Sequence, residues 1–213
     1  MIKIHCFVFN PFEENTYLPV DQATNDAAVV DPGMFTQDDI RIFDDFIKEH
    51  GINLRQVINT HMHVDHCFGD NYVRDKYGVK VAANLGDDYY AASLEAQARR
   101  FGMQRTMRPV EIDAPLEDGD TIMVGQTPLT VIHVPGHSQG GIALYDKEGK
   151  WVISGDSLFR GSIGRTDFQG GNHSQLVSSV RNKLLSLPGD TLVLPGHGPT
   201  TTIDYEKAHN PYI

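Results

Sequence analysis

Short apolar runs separated by turn residues fill the first third of the chain. Residues 2–9 (IKIHCFVF), 16–20 (TYLPV) and 27–31 (AAVVD) carry the β-branched and aromatic residues of strands, and Asp31-Pro32-Gly33 closes the last of them. The period then changes. Residues 37–50 set Ile40, Phe43 and Ile47 at helical spacing, and Gly51 stops the run. Gln56-Val57-Ile58-Asn59 reads as a short buried strand that delivers the chain to His61. A helix is predicted over 68–77, a strand over 79–82 and a helix over 86–101 carrying Tyr89, Ala92, Leu94 and Phe101. The second half predicts strands at 121–124, 129–134, 141–145 and 151–154, a helix at 174–186 and a strand at 191–194. Strands followed by helices in both halves predict an α/β fold of two stacked sheets with helices outside, a four-layer αβ/βα sandwich. The helix before the strand at 56–59 argues against an all-β sandwich.

The 213 residues are room for one domain, 1–213. With 40% apolar and 22% charged residues, the composition is that of a folded globular protein rather than a disordered one. Eighteen basic against 28 acidic side chains give a formal charge of −10, which repels phosphate backbones and makes nucleic acid an unexpected partner. No apolar run approaches the ~18 residues that cross a bilayer. The N-terminal MIKIHCFVFN has no cleavage-site pattern, so a cytoplasmic protein is expected. Cys6 and Cys67 are too few for a disulfide framework and form no CxxC pair.

Ten histidines are the unusual feature, and His61, His63 and His66 fall in one segment, Thr60-His61-Met62-His63-Val64-Asp65-His66. At this chain's own frequencies, HxHxDH is expected by chance roughly once in 500 such chains, so a histidine-rich surface loop is the weaker explanation. Residues i and i+2 face the same way only in extended backbone. His61 and His63 can therefore share one ion if they leave the strand extended. A turn after them would present Asp65 and His66 to a second position. Imidazole with carboxylate suits zinc, iron or manganese rather than calcium.

Three more strands end in the same way: Val131–Pro135 runs into Gly136-His137-Ser138, Trp151–Ile153 into Ser154-Gly155-Asp156, and Thr191–Leu194 into Pro195-Gly196-His197-Gly198. Each sets one ligand-type residue past the carboxyl end of a strand, where α/β folds place their sites. Together with the first cluster they make seven ligands, enough for two ions if Asp156 is shared.

HxHxDH, PGHS-x-GG, SGD and PGHG, in that order, resemble the metallo-β-lactamase fold superfamily over nearly the whole chain. Gly164-Arg165-Thr166-Asp167-Phe168 is similar to short bacterial type II glyoxalases and to persulfide dioxygenases, and the ending His209-Asn210-Pro211-Tyr212 resembles the former. The resemblance implies His61, His63 and His137 on a first metal and Asp65, His66 and His197 on a second. Asp156 would bridge the two, and Asp31 would steady the histidine loop. It further implies two divalent ions, zinc first with iron or manganese accepted, and Asp65 and Asp156 as the carboxylates of the reacting centre. The implied reaction is hydrolysis of a small acyl thioester, such as a 2-hydroxyacyl-glutathione, by a hydroxide held between the ions. The helical C-terminal domain of longer type II glyoxalases is not expected in the 16 residues after His197. Arg160 and Arg165, in the Gly-rich loop at 160–172, are then the residues expected to meet a substrate carboxylate, unless Arg165 pairs locally with Asp167.

Two rivals use the same residues. A persulfide dioxygenase would hold a single iron on two histidines and Asp156. A serine hydrolase would read Gly136-His137-Ser138-Gln139-Gly140 as a nucleophile elbow, with Asp156 or Asp190 and His197 completing a triad. The elbow must turn into a helix, and Gly141–Asp146 reads as a strand. Cys67, His5, His50, His133, His173 and His209 are expected to serve packing or hydrogen bonding.

Overall fold

In the computed structural model, which describes residues 1–213, fourteen strands form two six-stranded sheets and a small hairpin. The first sheet runs in chain order: β1 (Ile2–Phe9), β2 (Glu14–Asp21), β3 (Asp26–Val30), β4 (Asn53–Ile58), β5 (Lys80–Ala83) and β6 (Ala114–Pro115). β1, β2 and β3 pair antiparallel, and β3 to β6 pair parallel. Parallel neighbours need crossovers. α1 (Gln37–Glu49), α2 (Asp70–Tyr77), α3 (Asp88–Ala92) and α4 (Leu94–Arg100) lie in them. α1 starts on a reciprocal cap: Thr36 Oγ1 accepts from Asp39 N at 3.0 Å, and the Asp39 carboxylate accepts from Thr36 N at 2.8 Å.

The second sheet holds β7 (Thr121–Val124), β8 (Thr127–His133), β9 (Ile142–Asp146), β10 (Trp151–Gly155), β13 (Leu192–Pro195) and β14 (Thr201–Thr202), in the order β14-β13-β10-β9-β8-β7. β11 (Leu158–Phe159) and β12 (Ser162–Ile163) form the hairpin. α5 (His173–Ser179) crosses from β10 to its parallel partner β13, and α6 (Ile203–His209) ends the fold.

Strand alternation assigns the layers. Ala28 and Val30, Ile58, and Ala82 face Ile142 and Leu144, Trp151 and Ile153, and Leu194 in the core between the sheets. The alternate residues Val29, Val57 and Val81 pack against Phe43, Val73, Leu94 and Ala98 on one outer face. On the other outer face Ala143, Val152 and Val193 pack against Leu176, Val180, Leu184 and Ile203. The result is the expected αβ/βα sandwich.

Two local expectations need correction, and one helix, α6, was not expected. The helix expected over 86–101 is a 3-10 turn (Leu85–Asp87) followed by α3 and α4, broken at Ser93. There Gln97 Nε2 takes the Tyr90 carbonyl at 2.9 Å, so a side chain replaces the backbone ladder. The helix expected over 174–186 is α5 followed by a π turn, Val180–Leu184, with Leu185 N bonded to Val180 O at 2.9 Å. Leu176, Val180 and Leu184, all fully buried, recur every four residues, and the wider turn keeps that row facing the sheet against the drift of a 3.6 period. α6 had no periodic signal, because only Ile203 and Glu206 are buried in it. No helix is long and apolar enough to cross a membrane.

Candidate metal centre and its pocket

Beyond β4 the chain bends at Thr60 and His61, is extended at His63 (φ −69°, ψ 148°) and then makes a single 3-10 turn, Val64–His66. The path differs from the extended exit expected, but it still sends His61 and His63 to one group and Asp65 and His66 toward another. The ligand atoms of His61, His63 and His137 lie within 4.8 Å of one another, and so do those of Asp65, His66 and His197. Asp156 touches both groups: Oδ2 is 3.6 Å from His137 Nε2 and 3.7 Å from His197 Nε2, and Oδ1 is 3.5 Å from His66 Nε2. Gly155 turns the chain into Asp156 with φ +48°, a conformation that favours glycine. At Gly196 a Cβ would sit 2.3 Å from Asp156 Oδ1, so only glycine lets the His197 loop close over this carboxylate.

Hydrogen bonds fix which nitrogen of each ring faces the centre. His137 Nδ1 lies 2.7 Å from the Arg165 carbonyl and His197 Nδ1 lies 3.0 Å from the Phe12 carbonyl, so both Nδ1 atoms carry protons. Thr60 Oγ1 donates to Asp31 Oδ2 at 2.6 Å and therefore accepts from His61 Nδ1 at 3.1 Å. The Nε2 lone pairs of His61 and His137 then face each other at 3.2 Å, a repulsive arrangement that a cation between them would relieve. His63 Nε2, His66 Nε2 and Asp156 Oδ1 are buried with no hydrogen-bond partner. Unpaired buried atoms of this kind are the signature of missing ligation, and the donor set fits divalent transition metals.

The electrostatics divide the two groups. Burial, and then the His66 and His63 imidazoles alongside, hold His61 well below the ordinary histidine range. Burial, with His137 beside it, pushes His63 down to about 3. Both rings are neutral lone-pair donors at neutral pH. Burial opposes charge on His66 too, but Asp65, Asp156 and Asp31 around it carry its pKa well up. For His197 burial is outweighed by its hydrogen bond to Asp65 and by Asp156, and its pKa rises. Burial alone would raise Asp65 and Asp156, yet the His66 charge leads the groups that hold both below the usual carboxylate range. A proton on the second group thus does for these carboxylates what a cation would do.

The loops are held from behind by residues that sequence reasoning passed over. Asp31, which the sequence did single out, accepts from Thr60 N and Thr60 Oγ1, both at 2.6 Å, and its Oδ2 lies 3.1 Å from His66 Nδ1. Asp87, buried at the end of the 3-10 turn, accepts from Met62 N at 3.2 Å, Ser138 Oγ at 2.7 Å and Gly140 N at 2.7 Å. It ties the His61–His63 loop to the His137 loop. Asp87 also lies past the carboxyl end of a strand, and that rule could have found it. Gln97 Oε1 accepts from Val64 N at 3.0 Å. Asn15 Nδ2 donates to Pro195 O and Gly198 O, each at 2.9 Å, stitching the His197 loop to the first sheet. Glu14 is fully buried, with Oε1 4.0 Å from His66 Nδ1, and burial pushes its carboxyl well up. Nothing in the strand pattern singles it out.

A pocket of about 500 Å³ opens above the two groups. His63, Asp65, His137, Asp156 and His197 form its floor, and Phe12, Tyr90, Phe101, Phe159 and Phe168 its walls.

The sequence profile of the metallo-beta-lactamase superfamily matches residues 10–197. The chain belongs to this superfamily. It is 36% identical to hydroxyacylglutathione hydrolase GloC of Haemophilus influenzae, over 100% of this chain and 98% of that protein. Among solved structures, BLEG-1 B3 metallo-beta-lactamase superposes with a TM-score of 0.87 at 31% identity, covering 99% of both chains. TTHA1623, solved in a di-iron-bound form, superposes with a TM-score of 0.86 at 33% identity, covering 98% of this chain and 100% of that one. The protein is a metallo-hydrolase of the metallo-beta-lactamase superfamily.

In this superfamily member the serine-hydrolase geometry is missing. Ser138 gives its hydroxyl to Asp87, the chain after Gly140 enters β9 rather than a helix, and Asp190 pairs with Lys150 at the surface. The expected arginine sites also need revision. Arg160 does not line the pocket; its guanidinium sits 5.0 Å from the Tyr205 ring centroid, which draws it onto α6. Arg165 lines the pocket, but Nε and Nη2 are each 2.7 Å from the Asp167 carboxylate, the local pairing weighed above. Arg100, unremarked in the sequence, lines the pocket as well. Cys67 is buried, 3.6 Å from Asn59 Nδ2, with burial pushing its thiol up. His5 packs on Phe46, His133 bonds Gln139 O, and His50 and His209 bond carbonyls four residues back.

Proposed function

We propose that this metallo-hydrolase cleaves acyl thioesters with two divalent ions, one held by His61, His63 and His137 and the other by Asp65, His66 and His197, with Asp156 shared. The observation that carries the reading is the contact of Asp156 with both ligand groups on the floor of an aromatic-walled pocket. When bound, the ions supply a water that is deprotonated near neutral pH and an electrophilic hold on a carbonyl oxygen. The chain supplies the rest. Backbone carbonyls of Arg165 and Phe12 lock the rings of His137 and His197, so the donor atoms are set before substrate arrives. The aromatic walls take the apolar part of the substrate and exclude bulk water. A departing thiolate is a weak base, so no general acid is required. That fits a pocket in which no serine or cysteine lines the wall. Thioester specificity is supported by the 36% likeness to the Haemophilus hydrolase and by the Gly164–Phe168 segment. Small-molecule thioesters are the proposed partners, and the chain is proposed to act as a single domain in the cytoplasm.

The test is elemental analysis run beside S-lactoylglutathione hydrolysis, with and without chelator. About two metals per chain and chelator-sensitive hydrolysis are expected. One iron per chain with no hydrolysis would overturn the reading and direct the next assay to oxygen uptake with a persulfide.

A further inference from the structure

The pocket carries two guanidinium groups with different commitments. Arg165 has its fork occupied by Asp167 and its face 4.1 Å from the Phe168 ring centroid. Arg100 stands in the last turn of α4, lines the pocket, and makes no ion pair or side-chain hydrogen bond, whereas its neighbour Arg99 is paired with Glu95. In a chain of net charge −10, an unpaired guanidinium at the mouth of a site is a specific place for an anion. Beside it the wall is apolar and continuous. Phe101, the residue after Arg100, meets Phe12 edge-on at 5.0 Å and Phe168 at 6.1 Å. Phe101 keeps 42% of its surface exposed, and uncovered aromatic surface next to a floor of ligand residues marks a binding face.

We propose that Arg100 and the Phe12–Phe101–Phe168 wall are the specificity determinants. They select thioesters that carry a carboxylate, paired with Arg100, next to an apolar group, packed on the three rings. This inference rests on the thioesterase reading for the word thioester, but the recognition itself does not need turnover. Arg100 acts by binding and has no part in the bond-breaking step.

Stable thioethers separate the two. Calorimetric binding to the metal-loaded enzyme is measured for S-benzylglutathione, for its diester, in which both carboxylates are masked, and for S-methylglutathione. The wild type is expected to bind S-benzylglutathione about tenfold or more tightly than either of the others, the effect of one charge-assisted contact or one buried ring. Arg100→Gln should lose the discrimination against the diester and keep that against S-methylglutathione. Phe101→Ala should do the reverse. Both residues are exposed, so these variants are expected to fold, and the ligand series reads the same contacts in the unaltered protein. Equal affinities for the three ligands in the wild type would overturn the proposal. So would discrimination that survives Arg100→Gln and disappears in Arg165→Gln. Discrimination without hydrolysis of any thioester would sink the thioesterase reading and leave the pocket assignment standing; hydrolysis without discrimination would do the opposite.

Discussion

Asp87→Asn tests whether one buried carboxylate holds the two loops of the first ligand group together. In the native protein Oδ1 accepts from Gly140 N, and Oδ2 accepts from Met62 N and Ser138 Oγ. An amide has only one accepting oxygen. With that oxygen toward Gly140, the NH₂ faces the Met62 N–H, and one buried donor loses its partner; the Ser138 hydroxyl can rotate to accept. A buried donor left unpaired costs about 1–3 kcal/mol. Burial already raises the pKa of Asp87 against these hydrogen bonds, so the neutral side chain recovers part of a desolvation penalty. The expected loss is therefore at the low end, about 1 kcal/mol, or a Tm lower by about 2–4 °C for a chain of this size. The effect on metal should exceed the effect on folding. Met62 lies between His61 and His63, and Ser138 follows His137, so the first group loosens while Asp65, His66 and His197 keep their own supports. Metal affinity at the first group should fall about 10–100-fold. The assay is thermal melting of the metal-free protein together with elemental analysis after dialysis against a graded chelator. One equivalent should leave early and one should stay. Unchanged melting with both equivalents retained would refute the role given to Asp87.

Asp156→Ala should lose metal from both positions and all activity; loss of a single equivalent would show that the carboxylate does not bridge. Ser138→Ala removes one hydrogen bond to Asp87 and should reduce thioesterase activity by less than about tenfold, whereas a thousandfold fall would restore Ser138 as a nucleophile. Away from the site, Asp44 accepts from Tyr77 Oη at 2.7 Å and from Lys76 and Tyr72, joining α1 to α2. Burial opposes its charge, but these partners hold its pKa below the ordinary value. A depressed carboxylate stabilises above its unfolded pKa and loses that effect as pH falls through the folded one. Urea melts of Asp44→Asn should show a deficit of about 1 kcal/mol or less at pH 7, discounted for partial exposure, that shrinks below about pH 4. A deficit independent of pH would mean that the charge of Asp44 contributes nothing.

The sequence determined whatever is local. Short apolar strand runs followed by helices in both halves of the chain implied two sheets with helices outside, and the structure then divided Ala28–Val30, Ile142–Leu144 and Trp151–Ile153 between the two faces of each sheet. The HxHxDH segment after a strand, and single ligands after three other strand ends, located the chemistry, because α/β folds gather their sites at the carboxyl ends of strands. Tertiary structure decided what depends on segments far apart in the chain. Ser93 breaks a helix whose periodicity is unbroken because Gln97 reaches back to the Tyr90 carbonyl and forward to the His63 loop. Glu14 is buried beside His66 from another segment, and nothing within a few residues of it announces that place; Asp87 follows a strand end, but its donors Met62, Ser138 and Gly140 come from elsewhere in the chain. Arg160 and Arg165 share one glycine-rich loop, and the local pairing with Asp167 was legible for Arg165, but only the fold shows that Tyr205 of α6 draws Arg160 away and that Arg100 arrives unpaired from another helix. A chain can encode its ligands locally because a metal needs particular atoms. The partners of a charged side chain are set by whichever segments folding brings within reach.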